Sequence, residues 1–172
     1  MARPGTDEQF AALLEQQQRA LYKVAYIYCR DPEERRDLIQ EMAIALWQSL
    51  AKFNNQSSIH TWTYRVAMNV AISYRRSESR RIRDTRPLEL GLNLADANEK
   101  FGADHHNGRI LCELIDGLNE LDRALVLLYL EGFDHAEIAR VLGTTDSNVG
   151  TRLGRIKSRL KTQIIEDQRS AK

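Results

Sequence analysis

Apolar residues recur three and four positions apart over the first 76 residues, which is the spacing of one face of an α-helix. The first helical run stops before Asp31 and Pro32, a pair that favours the cap and first turn of a second helix. After a polar loop, a third helix is expected over residues 59–76, with Ser57 or Ser58 as its N-cap. The stripes expected to be buried are Phe10, Leu13, Leu14, Leu21, Val24, Ala25 and Tyr28 in the first helix, Leu38, Met42, Ala45, Leu46, Ser49 and Phe53 in the second, and Ile59, Trp62, Val66 and Val70 in the third.

The helical pattern fails at about residue 77 and returns at Ile110. So long a stretch without a period is improbable inside one compact domain, and it is therefore predicted to be a linker. No segment alternates convincingly between apolar and polar residues with a period of two. The predicted fold class is all-α: two small helical domains, residues 1–76 and 109–172, joined by a flexible linker of residues 77–108.

The second helical block carries the sequence signals of a helix-turn-helix motif. Asp134 and Glu137 have the spacing of a capping box at the start of a short helix. Ala139 supplies a small residue where the two helices meet, Gly143 a turn residue, and Val149 an apolar anchor for the second helix. The helices expected here are residues 110–118, residues 120–130, a short one after Asp134, and a last one from about Asp146 to beyond Ile164.

The last of these helices has an apolar face beside a basic one. At about 100° per residue, four apolar residues fall within an arc of about 60°, and a neighbouring arc of similar width holds one amide and three guanidiniums. Arginine forks fit phosphate oxygens and the guanine edge, although solvated basic faces are common on surface helices. Because this helix is the second of a helix-turn-helix, DNA contact is favoured. The apolar set is Val149, Leu153, Ile156 and Leu160, and the polar set is Asn148, Arg152, Arg155 and Arg159.

Charge is segregated along the chain, although the formal net charge is only +1. Residues 75–86 contain six arginines against two acids, and every charged residue from 152 to 161 is basic. A chain with two separated basic segments can contact a polyanion at two places.

The first basic segment follows a polar loop, residues 54–58, and a helix that mixes aromatic residues with cations. Aromatic faces that stack on unpaired bases and cations that follow the backbone are what single-stranded DNA requires. Trp62 taken alone is more often a core residue than a stacking platform. The pattern therefore indicates a second, single-strand surface but leaves the role of Trp62 open.

Two motif blocks resemble those of a known family. The pattern DLxQExxxxxW, followed by F, a Ser-containing loop, TW, Y-R-x-A-x-N and RR, is similar to region 2 of bacterial sigma factors. The block LNELDRALVLLYLEGFDHAEIARVLGTTDSNVGTRLGRIKSRL is similar to sigma region 4. Together they cover about residues 10–76 and 110–161, and the chain resembles an extracytoplasmic-function (ECF) sigma factor of the sigma-70 superfamily with regions 2 and 4 only.

The resemblance implies an alternative sigma factor that binds core RNA polymerase, directs it to specific promoters and opens their -10 region to initiate transcription. The first domain would contact the clamp helices of the largest polymerase subunit, and the second domain the flap region. The resemblance also admits a cognate anti-sigma protein as a partner. The residues matched to the clamp-helix contact are Asp37, Leu38, Gln40, Glu41, Leu46 and Trp47.

The resemblance also implies two DNA contacts. The loop before the third helix would capture a flipped base of the -10 element, and the side chains after it would hold the opened strand; unstacking costs about a few kcal/mol, so amide donors and acceptors are needed there. The last helix would read the -35 element as duplex. The residues matched to the -10 contact are Asn54, Asn55, Ser57, Ser58, His60, Trp62, Arg65, Asn69, Arg75 and Arg76, and those matched to the -35 contact are Asn148, Thr151, Arg152, Arg155 and Arg159.

Four positions depart from the family pattern. Many members have Asp at the place of Ser73, Pro at Asn119, Lys at Gly150 and a larger residue at Gly154. The two glycines point about 150° away from the basic arc of the last helix. Promoter preference therefore does not transfer from the resemblance.

Other functions fit the sequence less well. A non-sigma transcription regulator could use residues 143–161 as they stand, but it does not need the aromatic-basic helix of the first block. An enzyme is disfavoured, because the four histidines are scattered and no His, Cys or carboxylate set has metal or nucleophile spacing. Cys29 and Cys112 are expected to be buried thiols of a cytoplasmic protein. Neither a signal peptide nor a membrane span of about 20 apolar residues is present, and no cofactor, metal or small-molecule substrate is expected.

Overall fold

The computed structural model describes residues 4–78, 113 and 115–170 of the chain. These residues form helices, turns and loops without any strand, which confirms the all-α prediction. The predicted linker lies almost entirely outside the described residues, and so do residues 110–112 and 114 of the helix predicted at 110–118. The helices are α1 (Pro4–Tyr28), α2 (Pro32–Leu50), α3 (Ile59–Glu78), α4 (Glu120–Leu130), α5 (His135–Leu142) and α6 (Asp146–Ser170).

The chain divides into two compact units, Met1–Arg109 and Ile110–Lys172. In the N-terminal unit α1, α2 and α3 each pack against the other two. The seven residues of α1 that were expected to be buried are all less than a tenth exposed. Fully burying a leucine or methionine side chain stabilises a fold by about 1.5–3 kcal/mol, so this shared core holds the three helices together. Its fully buried side chains include Leu21, Leu38, Met42, Leu46, Tyr64 and Met68.

The predicted apolar stripe of α3 is wrong. Ile59, Trp62, Val66 and Val70 are only half-buried. The prediction followed the largest apolar side chains, but an aromatic residue, a methionine and two alanines on another side of α3 are also three and four positions apart, and they pack more closely against α1 and α2. The buried apolar residues of α3 are Tyr64, Ala67, Met68 and Ala71.

The stripe of α2 needs a smaller correction. Ala45, Ser49 and Phe53 are half-buried, whereas Ile39 and Ala43 are buried in their place. Because α2 packs against both α1 and α3, its buried face is wider than a single stripe and is turned toward Ile39.

The turn between α1 and α2 is held by Asp31 and Arg35. The Asp31 carboxylate accepts hydrogen bonds from the backbone N–H groups of Glu33 at 2.9 Å and Glu34 at 3.0 Å, so Asp31 is the N-cap as predicted. Arg35 donates to the carbonyl oxygens of Cys29 at 3.1 Å and Arg30 at 2.6 Å. A guanidinium at the C-terminal end of α1 satisfies carbonyls that the helix leaves without partners.

The C-terminal unit consists of α4, α5 and α6 packed on one another in the described residues. The predicted capping box is present: the Asp134 carboxylate accepts from the Glu137 N–H at 2.7 Å, and the Glu137 carboxylate accepts from the Asp134 N–H at 3.1 Å. Gly143 ends α5 with φ of 66°, a left-handed conformation that glycine adopts without steric cost. The two helices predicted as a helix-turn-helix are therefore α5 and α6. The buried residues of this unit include Leu125, Leu128, Ile138, Val149 and Leu153.

We expect Arg35→Ala to lower the free energy of unfolding of the N-terminal unit by about 2 kcal/mol, because it removes charged hydrogen bonds to two carbonyl groups. The Arg35 guanidinium also lies 3.3 Å from the Tyr22 hydroxyl and 4.8 Å from the Tyr26 ring centroid. Urea unfolding followed by tryptophan fluorescence measures this, because both tryptophans of the chain lie in this unit. Arg36→Ala, which changes an exposed neighbour, is the control. Equal losses in the two variants would contradict the role of Arg35.

Candidate nucleic-acid interface

One face of the helix α6 is buried, and the neighbouring face is exposed to solvent. Val149, Leu153 and Ile156 are 0%, 3% and 5% exposed, which confirms the predicted packing face, and Leu160 is half-buried. Since successive residues turn by about 100°, this packing determines which side chains of α6 lie toward solvent.

Four of the five residues matched to duplex contact lie on that solvent side. The Asn148 amide donates to the Thr144 hydroxyl at 2.7 Å, which ties its side chain to the turn between α5 and α6. An amide and a hydroxyl beside two guanidiniums form a surface with both base-reading and phosphate-binding groups. The exposed members are Asn148, Thr151, Arg155 and Arg159.

Arg152 differs from the other four because it is half-buried and paired within the unit. Its Nη1 lies 3.2 Å from the Asp122 Oδ1 on α4. Both atoms are inaccessible to solvent, and neither is aligned with any partner as a hydrogen bond. The opposite charges of Arg152 and Asp122 therefore compensate each other. Asp122 was not among the residues predicted from the sequence.

Gly150 and Gly154 lie on a third side of α6. A Cβ at Gly150 would be 3.7 Å from the His135 ring, an ordinary contact, and a Cβ at Gly154 would meet nothing within 4 Å. Neither has the left-handed backbone found at Gly143. Nearby, Lys157 donates to the Tyr129 hydroxyl at 2.9 Å. Among the described residues of the C-terminal unit, no contact therefore requires glycine at either position.

In the N-terminal unit, the loop before α3 places its polar residues at the surface. Asn54, Asn55 and Ser58 are exposed, and Ser57 is half-buried. Asn55 has φ of 57°, a left-handed conformation that asparagine tolerates better than most residues. The Ser58 hydroxyl accepts from the Thr61 N–H at 3.0 Å, so Ser58 caps α3 as one of the two predicted alternatives. Any contact of its hydroxyl with DNA competes with this cap.

The α3 residues matched to the opened strand fall on more than one side. Trp62, Arg65, Asn69 and Arg76 lie within an arc of about 60° on the helix. The indole of Trp62 packs on Phe53 at 5.1 Å between ring centroids and is half-buried, so this residue is partly core and partly surface.

His60 and Arg75 lie on other sides of α3. The His60 Nδ1 is 3.0 Å from the Gln17 side-chain oxygen on α1, and its ring meets the edge of Tyr64 at 5.0 Å. Arg75 is half-buried. The structure thus brings four of these residues together and separates His60 and Arg75 from them.

The residues matched to the polymerase contact differ in their exposure. Leu38 and Leu46 are 0% exposed, so they belong to the core of the bundle and have no surface to offer a partner. Trp47 is 37% exposed and touches Phe10 edge-on, with ring centroids 4.9 Å apart. The other three, Asp37, Gln40 and Glu41, are half-buried.

An open groove of about 520 Å³ runs between α2 and α3. Glu41, matched to the polymerase contact, and Asn69, matched to the opened strand, line it together. The sequence gives no sign that these two residues line one groove, because the groove forms only when α2 packs on α3. The remaining lining residues are Ile44, Ala45, Gln48, Val70, Ser73, Tyr74 and Ser77.

Over residues 4–78, 113 and 115–170 no group of three or more His, Cys, Asp or Glu side chains is arranged to hold a metal ion. No helix within the same residues is long and apolar enough to cross a membrane. Cys29 is buried and forms no disulfide, and Cys112 lies outside the described residues.

Comparison with protein families gives two matches in chain order. The family model of sigma-70 region 2 matches residues 13–81, and that of sigma-70 region 4 matches residues 109–160. Among curated proteins, the chain is 29% identical over 140 residues to the ECF RNA polymerase sigma-E factor of Haemophilus influenzae, covering 74% of this chain and 73% of that one. It is 25% identical over 151 residues to the RNA polymerase sigma factor SigV of Bacillus subtilis, covering 87% of each.

Two solved structures share the fold. One is CnrH in complex with the cytosolic domain of CnrY, with a TM-score of 0.67 and 20% identity, covering 94% of this chain and 90% of that one. The other is the sigma factor RpoE with the anti-sigma factor NepR from Bartonella quintana, with a TM-score of 0.64 and 20% identity, covering 91% of this chain and 97% of that one.

We expect alanine at both Gly150 and Gly154 to stabilise α6, because each glycine costs about 1 kcal/mol in a helix interior and neither site is crowded. Hydrogen exchange of the α6 backbone amides should slow by about fivefold per substitution where local opening governs exchange. Gly143→Ala is the opposing control, since its left-handed backbone strains alanine. Faster exchange in the double variant would show that the glycines are needed within the unit.

Proposed function

This chain belongs to the sigma-70 family and to its extracytoplasmic-function group, and from that membership we propose which of its surfaces bind polymerase, opened strand and promoter duplex. As an ECF sigma factor, the chain is a transcription initiation factor that binds core RNA polymerase and promoter DNA. The assignment of single residues to these partners is the proposal.

The C-terminal unit reads the -35 element as duplex through α6. The observation that carries this assignment is the exposed face of Asn148, Thr151, Arg155 and Arg159 beside a fully packed one. An α-helix fits the major groove, where amide, hydroxyl and guanidinium groups distinguish base pairs. Because the turn at Gly143 fixes how α6 leaves α5, these side chains enter the groove together.

The N-terminal unit holds the opened -10 strand on α3 and the loop before it. The face of Trp62, Arg65, Asn69 and Arg76 joins an indole, an amide and two cations, which suits stacked bases and their phosphates. The amides of the loop, Asn54 and Asn55, are exposed and suit a flipped base. His60, on the opposite side of α3, and Arg75, on a neighbouring side, act as positioning or phosphate-binding groups.

Core polymerase binds the surface of α2, at the clamp helices of the largest subunit. Trp47 offers the largest exposed apolar area on this helix and is the natural anchor of such a contact. Asp37, Gln40 and Glu41 add half-buried polar groups nearer the start of α2, while Leu38 and Leu46 act from the core by holding α2 in place.

The chain acts in the cytoplasm with its polymerase and catalyses no reaction of its own. The solved sigma factor RpoE from Bartonella quintana is in complex with an anti-sigma factor, and we propose the same class of partner for this chain. The flap region of the polymerase is the proposed contact of the C-terminal unit.

Run-off transcription with purified core polymerase tests the function directly. The template is the region upstream of the chain's own gene, and core polymerase alone is the baseline. The proposal predicts a discrete start site that appears only when the chain is added. Promoter binding without any association with core polymerase would instead support a helix-turn-helix regulator that is not a sigma factor.

We expect the -35 contact to depend on salt through exposed cations of α6. Removing one phosphate contact should reduce the slope of log K against log salt by about 0.9 for duplex DNA. Arg155→Gln is therefore expected to reduce that slope by about one, whereas Lys157→Gln, on the far side of the helix, leaves it unchanged. Filter or fluorescence binding of the holoenzyme to promoter duplex measures both. Equal slopes for the two variants would show that the proposed face of α6 does not meet DNA.

A further inference from the structure

We propose that Asp122 is a positioning residue that holds Arg152 in one orientation for reading base pairs of the -35 duplex. This inference rests on the proposed function of α6. It assigns part of the promoter specificity to an acid on α4 that lies beside the reading helix.

Asp122 is itself held at two points. Its Oδ2 accepts a hydrogen bond from the Asn119 side-chain amide at 2.9 Å, and its backbone N–H donates to the Asn119 side-chain oxygen at 2.9 Å. Asn119 is the N-cap of α4, so the carboxylate belongs to a capped, rigid helix start. The remaining oxygen, Oδ1, is the one that faces Arg152 at 3.2 Å.

Within the described part of the chain, Arg152 is held at one corner, by its Nη1. Its side chain is 31% exposed and that of Asp122 19%, yet the two facing atoms are closed to solvent. The other edge of the guanidinium, Nε and Nη2, still carries N–H donors in a fixed fork. Such an edge matches the O6 and N7 acceptors of guanine in the major groove. Arg155 and Arg159 are exposed and lack this anchor, which suits them to phosphates.

The pair also explains why an acid lies beside a basic surface. A carboxylate near DNA weakens the attraction to every phosphate, so it lowers affinity without regard to sequence. A guanidinium anchored to that carboxylate has fewer conformations in which it can move to a phosphate, so its contact depends more on the base. The expected consequence is higher discrimination between promoters at the cost of general DNA affinity.

The test uses holoenzyme assembled from the full chain and core polymerase. Its template is the promoter found by run-off transcription, with the base pairs of the upstream duplex element randomised, and transcripts are counted by sequencing. For Asp122→Asn we expect base preference to fall by about tenfold at one or two adjacent positions and to persist elsewhere. Arg152→Ala should lose preference at the same positions, and the double variant should lose no more than either single one.

Two further variants keep the result interpretable. Arg152→Lys keeps the charge and the pairing with Asp122 but has no fork, so it should lose preference at the same positions even if Asp122→Asn folds poorly. Asp146→Asn removes one acid from α6 itself, away from Arg152, and should raise transcription from all templates alike without changing any preference.

A uniform change across all templates for Asp122→Asn would overturn the proposal, because a purely structural acid affects every promoter equally. Retained preference in Arg152→Lys would overturn it as well. If wild-type holoenzyme starts at no promoter, the proposed function itself has failed; if it starts normally but these variants change no positional preference, only this inference has.

Discussion

The packing of α6 against α4 and α5 is the interaction on which the proposed DNA-reading surface depends. Val149, Leu153 and Ile156 are almost fully buried, and helix geometry then leaves little freedom for the residues between them. Asn148, Thr151 and Arg155 face solvent because they lie on the side of the helix away from these buried residues. The left-handed Gly143 and the Asp134–Glu137 capping box add to this constraint by determining where α5 ends and how it begins. The proposed specificity for promoter DNA therefore depends first on a small apolar core, which determines where the polar groups lie.

Helix boundaries could be predicted because local chemistry determines them. Asp31 with Pro32, Ser58, the capping box and Gly143 each satisfy backbone groups within a few residues, and each was visible in the sequence. The buried face of α3 could not be predicted in the same way. Two stripes of equal spacing compete on that helix, and only contact with α1 and α2 decides between them.

The exposed residues of the candidate site could be predicted from the sequence. Residues that pair with a side chain far away in the sequence were harder to predict. The exposed face of α6 followed from periodicity and charge alone. The burial of Leu38 and Leu46 followed from the apolar stripe of α2, whereas the motif match assigned the same two residues to the polymerase contact, because a motif match cannot separate residues that touch a partner from those that support them. The Asp122–Arg152 pair joins residues thirty positions apart, and no local pattern connects them. It also gives a reason for Asn119, a departure from the family pattern, since this residue holds Asp122 as well as capping α4.

In the proposed function the two helical units bind different parts of the promoter. The helix α3 binds the opened strand, and α6 binds the upstream duplex. Photocrosslinking measures this most directly, with a photoreactive amino acid in place of Arg65 in one holoenzyme and of Thr151 in another, both on the same promoter. The account predicts crosslinks from position 65 to the non-template strand of the opened segment and from position 151 to the upstream duplex. Crosslinks from both positions to one segment, or from position 65 to closed duplex only, would contradict it.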